Sequence, residues 1–142
     1  MTSPEAQEPE IRLQEIDPSG CAALLAATQF GRIAVVELGR PVIVVLNHLV
    51  LGGDVLFRVA EDSRLARLTD GYAVHASYEV DSAFPVGHAG WSVIAVGTLG
   101  RESDPLAVTA ARDQIDAWAG GRRETVLRLR VEQLTGRRAG HL

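Results

Sequence analysis

Much that a chain of this size often carries is scarce or missing. Lysine is absent, and all 14 basic side chains are arginine. Every cation is therefore permanently charged and fork-shaped. Cysteine occurs once, as Cys21, which excludes an intramolecular disulfide and a cysteine-cluster metal site. One cysteine also fits a reducing, cytoplasmic setting. The longest apolar run, "PVIVVLNHLVL" at Pro41–Leu51, is too short to span a bilayer and is broken by Asn47 and His48. The opening "MTSPEAQEPE" lacks the basic start and apolar core of a secretion signal, so residues 1–15 read as a mobile acidic arm. Net positive charge is missing too. The formal charge is −4, which speaks against a general nucleic-acid partner.

Familiar catalytic signatures are also absent. No Gly-x-Gly-x-x-Gly follows a strand, and there is no Walker-type phosphate loop. "GWSVI" lacks the second glycine of a nucleophile elbow. His48, His75, His88 and His141 are scattered without metal-ligand spacing, so no metal is expected. No carboxylate pair stands out from the surface complement.

What remains is a soluble-type chain of 142 residues with 46% hydrophobic and 23% charged content, sized for one domain over 16–138 and a tail over 139–142. "DPSGCAALLAAT" predicts a first helix, with Asp17 as cap and Pro18 at its first position. "GRIAVVEL", "PVIVVLNHLV" and "DVLFRVA" predict three strands separated by the turns at Gly39-Arg40 and "LGGD", hence two consecutive hairpins. "EDSRLARLTDG" predicts a short helix capped by Asp62 or Ser63. "YAVHASYEV" and "WSVIAVGTLGRE" read as further strands around a Pro- and Gly-bearing loop at Asp81–Gly90. The main helix runs from a cap at Ser103 or Asp104 to Gly120-Gly121, and "ETVLRLRVEQLTG" is a last strand. The expected fold is mainly β: a six-stranded antiparallel barrel with few helices. Strands apolar on both faces call for a cover on the outer face, and a second copy of the chain is a natural one.

Three groups of residues stand out. Arg58, Ser63 and Arg64 sit where a strand feeds a helix. A helix start offers free N–H groups, Ser a hydroxyl and Arg a fork for two phosphate oxygens. The alternative is that Arg58 pairs with Asp54 or Glu61 while Arg64 and Arg67 are solvated. Asn47-His48 interrupts an apolar strand; it is either a strand end or a polar meeting point for a flat ligand. Trp91-Ser92 opens a strand, where Trp is more often core or interface than a stacking platform.

The order of "FGRIAVVELGRPVIVVLNHLV", "GGDVLFRVAEDSRLARL", "YAVHASYEVD", "GWSVIAVGTLGRESDP" and "LRLRVEQLTGRR" resembles the pyridoxamine 5′-phosphate oxidase-like flavin-binding proteins. The likeness is to the small actinobacterial branch related to nitroimidazole-resistance proteins. The resemblance implies a split β-barrel that forms a homodimer with FMN at the subunit interface. It implies phosphate contacts from Arg58, Ser63 and Arg64, the last standing where the family commonly has Lys. It also implies ring contacts from the backbone of Val44, Val45, Leu46 and Asn47, and from Ser92, where the oxidases typically have Gln. The expected activity is a flavin-dependent oxidoreduction of a small molecule other than pyridoxamine phosphate. His48 is the candidate proton donor. The Arg137, Arg138 and His141 cluster is not matched to the oxidases' C-terminal substrate site. The resemblance leaves three alternatives: the deazaflavin F420, drawing on Arg67, Arg122 and Arg123; haem, ligated by His48, His75 or His88; and a non-catalytic flavin-binding scaffold.

Overall fold

Two glycine-bearing turns set the register of the sheet. Leu38 and Gly39 both have positive φ, at 51° and 76°, as a two-residue type I′ hairpin turn requires. They join β2 (Phe30–Glu37) to β3 (Arg40–Asn47), closing on the pair Glu37–Arg40. Gly52 and Gly53, with φ of 59° and 82°, likewise join β4 (Leu49–Leu51) to β5 (Asp54–Ala60). The structure is a computed structural model that describes residues 11–82, 89–116 and 124–141.

The other strands are β1 (Ile11–Glu15), β6 (Val74–Asp81), β7 (Gly90–Arg101) and β8 (Glu124–His141). All pair antiparallel, in the order β3-β2-β6-β7-β8-β5-β4, with β1 on the far end of β8. β3 and β4 stand at opposite ends of this order, yet one residue, His48, joins them. The Cα atoms of Asn47 and Leu49 therefore lie no more than about 7.6 Å apart. The sheet has to curl until its two ends nearly meet, and the peptide chain closes the seam there. This is a mostly β, antiparallel split barrel.

Among the described residues there are eight strands, against the expected six. One addition arises because the chain turns at His48, so "PVIVVLNHLV" becomes β3 and β4. The other is Ile11–Glu15, which pairs with Arg137–His141. The arm expected over 1–15 is thus strand in its last five residues, and the expected tail continues β8 through His141. Neither segment has strand-like composition; each is held by its partner's hydrogen bonds.

α1 (Pro18–Ala27) is capped by Asp17, whose carboxylate accepts from Gly20 N–H at 2.7 Å. α2 (Arg64–Leu68) is capped by Ser63, and α3 (Pro105–Gln114) by Asp104. α3 stops at Gln114, because Ile115 is already extended, so the helix expected to Gly120-Gly121 is not continued at Ile115 and Asp116; its positions 117–121 lie outside the described residues. The barrel interior holds Ile33, Val55, Phe57, Tyr78, Val80, Val93, Leu99, Leu127 and Leu129, closed at one side by Cys21 and Leu25 of α1. A smaller cluster of Leu56, Val126, Ala107, Ala111 and Ile115 sits under α3. β5 therefore buries both faces, as its unbroken apolar run foretells.

A bulge at Val96/Gly97 lets the long β8 bend around the barrel. A Cβ on Gly97 would fall 1.8 Å from the carbonyl oxygen of Arg130. One on Gly140 would meet nothing within 4 Å. Gly97→Ala is expected to lower the unfolding free energy by about 2 kcal/mol or more, against about 0.5 kcal/mol or less for Gly140→Ala. Urea denaturation of both variants checks this.

Candidate functional site

His48 turns its side chain inward. It is 7% exposed, with Nδ1 2.6 Å from the Tyr78 hydroxyl and Nε2 3.0 Å from the Leu25 carbonyl. A carbonyl only accepts, so Nε2 carries the proton and Nδ1 accepts from the phenol. Burial pushes the His48 pKa down, opposed by its bond to the Leu25 carbonyl. The sequence reading offered His48 as a proton donor to substrate; its placement corrects this, because both ring nitrogens are engaged inside the protein. Tyr78 is fully buried, its hydroxyl is also 3.1 Å from the Leu46 carbonyl, and its ring meets Phe57 edge-on. Gly31 leaves room for that ring: a Cβ there would lie 2.7 Å from it.

β3 is an end strand, so among the described residues one of its edges has no strand partner. Which groups face that edge follows from one bond. His48 N–H donates to Gln29 O at 2.9 Å, in register with the pairs 30/47 and 31/46. Hydrogen-bonded and non-bonded pairs alternate along an antiparallel ladder. Val44 and Leu46 therefore point their peptide groups at β2, while Val45 and Asn47 present N–H and C=O to the free edge. The Asn47 side chain also donates to the carbonyl of Asp116 at 3.1 Å, so the chain after α3 lies beside the end of this edge.

Arg58 is committed to the same region. Its guanidinium pairs with Glu124 and donates to the carbonyls of Arg112 and Ile115 at the C-terminus of α3. A cation there suits the negative end of the helix dipole. Arg58 thus works as a strut. Its acid is neither Asp54 nor Glu61 but a residue 66 positions away. The Ser63 hydroxyl accepts from Ala66 N–H as the cap of its own helix. Arg64 is half exposed and meets Glu37 at 3.4 Å, an exposed pair worth about 0–1 kcal/mol. The contacts of Arg58, Ser63 and Arg64 do not converge, and Arg64 is the member most readily released to an anion. Arg67 donates to the carbonyl of Asp62.

Ser92 lies on β7, three strands from β3, which is about 14 Å across the sheet. It pairs with Asp81 and Arg137, and Trp91 with Arg138. Ser92 and Arg137 line a groove of about 470 Å³ with Leu13 and Trp91. An adjoining hollow of about 360 Å³ is lined by Phe30, Arg32, Asp81 and Trp91. Arg32 there bonds Glu79 at 3.4 Å and Asp81 at 3.2 Å. Desolvation and the neighbouring Asp81 raise the Glu79 pKa. Exposed Ile43, Val45, Ile94 and Val96 flank this charged centre on the outer face. His75 is exposed on β6. His88, Arg122 and Arg123 lie outside the described residues, as does the side chain of His141. No group of three metal-ligating side chains occurs among the described residues, nor does a helix long and apolar enough to cross a membrane.

The sequence reading missed Tyr78 and Glu124. An alternating strand gives no sign that one inward Tyr is a polar hub, and Glu124 stands beside two arginines that draw attention away from Arg58.

Comparison with known proteins brings the pattern together. The family model described as pyridoxamine 5′-phosphate oxidase matches residues 17–138. Rv0080 of Mycobacterium tuberculosis, itself uncharacterised, is 32% identical over 125 residues, covering 86% of this chain and 82% of its own. A FAD-binding protein from Mycobacterium smegmatis superposes with a TM-score of 0.73 at 26% identity, over 88% of this chain and 98% of that one. A FAD-binding protein from Mesorhizobium loti gives 0.76 at 20% identity, over 93% of this chain and 100% of that one, a likeness of fold alone.

The buried His48 carries a pH signature. Its folded pKa lies below its unfolded value of about 6.5. The unfolded chain then binds the extra proton, so stability is full above that value and falls as the pH drops toward the folded pKa. Urea unfolding between pH 7.5 and 5.5 is expected to show this loss, and His48→Gln to flatten it.

Proposed function

The chain belongs to the pyridoxamine 5′-phosphate oxidase family, and from that premise we propose that it binds FMN between two copies of itself and serves as a flavin-dependent oxidoreductase. The free edge of β3 carries the reading. The pyrimidine side of a flavin alternates acceptor, donor and acceptor. The N–H and C=O groups of Val45 and Asn47 are the complementary set, fixed in place by the β2–β3 ladder. Arg64 lies by Glu37, near the opposite end of β3 from Asn47, and is the phosphate ligand. Ser63 keeps α2 in place beneath it, and Arg58 braces the segment after α3.

Dimerisation completes the site. Ser92 is too far across the sheet to reach the β3 edge of its own chain, so it serves the ring of a second copy. The outer-face band of Ile43, Val45, Ile94 and Val96 is the surface that copy covers. The Trp91 groove then opens beside the ring as the place for a small-molecule substrate. Bound flavin supplies the redox chemistry; the chain holds the ring, donates to its polar edge and keeps water from one face.

His48 is not placed as a haem ligand, because both its ring nitrogens are engaged. A second flavin reading has its own support. The Mycobacterium smegmatis relative is a FAD-binding protein, and an adenylate would extend past Arg64 without altering the β3 contacts.

Purified protein is expected to absorb as an oxidised flavin, directly or after titration with FMN, and to sediment at twice its 15.2 kDa chain mass. Mass spectrometry of the released pigment separates FMN from FAD. Arg64→Ala should weaken FMN binding about tenfold or more, the scale of one charge-assisted hydrogen bond. A colourless monomer that binds neither flavin contradicts the proposal.

A further inference from the structure

The Leu46 carbonyl and the Asn47 N–H belong to one peptide group. No cis peptide occurs among the described residues, so these two groups point in opposite directions across one planar, conjugated unit. On the inner side the carbonyl lies 3.1 Å from the Tyr78 hydroxyl. On the outer side the N–H faces the free edge of β3. Tyr78 in turn meets His48 Nδ1 at 2.6 Å, and His48 Nε2 meets Leu25 O at 3.0 Å. An unbroken line of polar groups runs from the end of α1 to the proposed flavin edge.

We propose that Tyr78 and His48 are positioning residues that set the donor strength of the Asn47 N–H, and through it the reduction potential of the bound flavin. The inference rests on the reading above for the flavin itself. Its physical basis is cooperativity. A donor on a carbonyl polarises the peptide and strengthens the N–H on its other side. The phenol has one proton and two acceptors, His48 Nδ1 and Leu46 O. His48 competes for that proton, so it limits what reaches Leu46. Tyr78 acts as the source and His48 as the brake.

The two residues therefore have opposite effects. Tyr78→Phe keeps the ring beside Gly31 and Phe57 but removes the donor. The Asn47 N–H weakens, negative charge on a reduced ring is less well held, and the potential moves negative. His48→Leu removes the competing acceptor, the phenol turns wholly to Leu46 O, and the potential moves positive. A loss of packing has no reason to produce opposite signs.

The experiment has two arms. In the flavin-free protein, the amide proton resonance of Asn47 is compared among wild type, Tyr78→Phe and His48→Leu. Displacement in opposite directions is expected; an unmoved resonance in Tyr78→Phe overturns the relay, whatever the protein binds. In protein loaded with FMN, the midpoint potential is measured for the same set. A negative shift in Tyr78→Phe supports the proposal, and an unchanged potential with flavin bound overturns it. If His48→Leu does not fold, the Tyr78→Phe result alone decides. Failure of wild type to take up FMN would sink the flavin reading and with it the effect on potential, while the first arm still decides the relay.

Discussion

One residue joins the two ends of the sheet. β3 and β4 are as far apart as the strand order allows, and His48 is all the chain between them. That constraint forces the curl, and the curl makes an interior for Phe57, Tyr78 and their neighbours. It also decides what His48 can be. A residue at the seam has its backbone fixed by Gln29 and its ring surrounded by the barrel. A buried imidazole costs stability unless both nitrogens are bonded. Tyr78 and the end of α1 meet that requirement, and they anchor the seam as they do so.

The seam leaves β3 with an edge that no strand among the described residues pairs. An open edge is a hazard, since any passing strand can add to it. Here the segment after α3 comes up against one end of it, held by Asn47 and by the Arg58 strut. Elsewhere the edge keeps fixed donors and acceptors at β spacing, along with Val45 from the outer apolar band. A flat heterocycle with a polar rim and an apolar face satisfies both at once. On the proposed reading, the same open barrel that leaves a defect in the sheet makes a binding surface.

Much of this was legible beforehand. Asp17-Pro18 marked one helix start, Ser103 or Asp104 before Pro105 a second, Asp62 or Ser63 a third, and Gly52-Gly53 a hairpin; the caps are Asp17, Asp104 and Ser63. These are local devices whose physics lies within a few residues. What stayed hidden depends on distant partners. Ile11–Glu15 becomes a strand because Arg137–His141 is there to pair with it. Arg58 looked like a phosphate ligand because Glu124 lies 66 residues away. His48 looked like an available base because its burial depends on Tyr78, 30 positions on. The polar break "NH" in an apolar run falls where β3 ends and the chain crosses to β4. Asn47 faces the edge, while its neighbour joins the two ends of the curled sheet.

The central claim is that the free edge of β3 reads the flavin. It is tested most directly by titrating isotopically labelled protein with FMN and following the backbone amides of β3. Large shifts at Val45 and Asn47, with much smaller ones at Val44 and Leu46, are the predicted result, since only the first pair faces off the sheet. Saturable binding that leaves Val45 and Asn47 unmoved would contradict it.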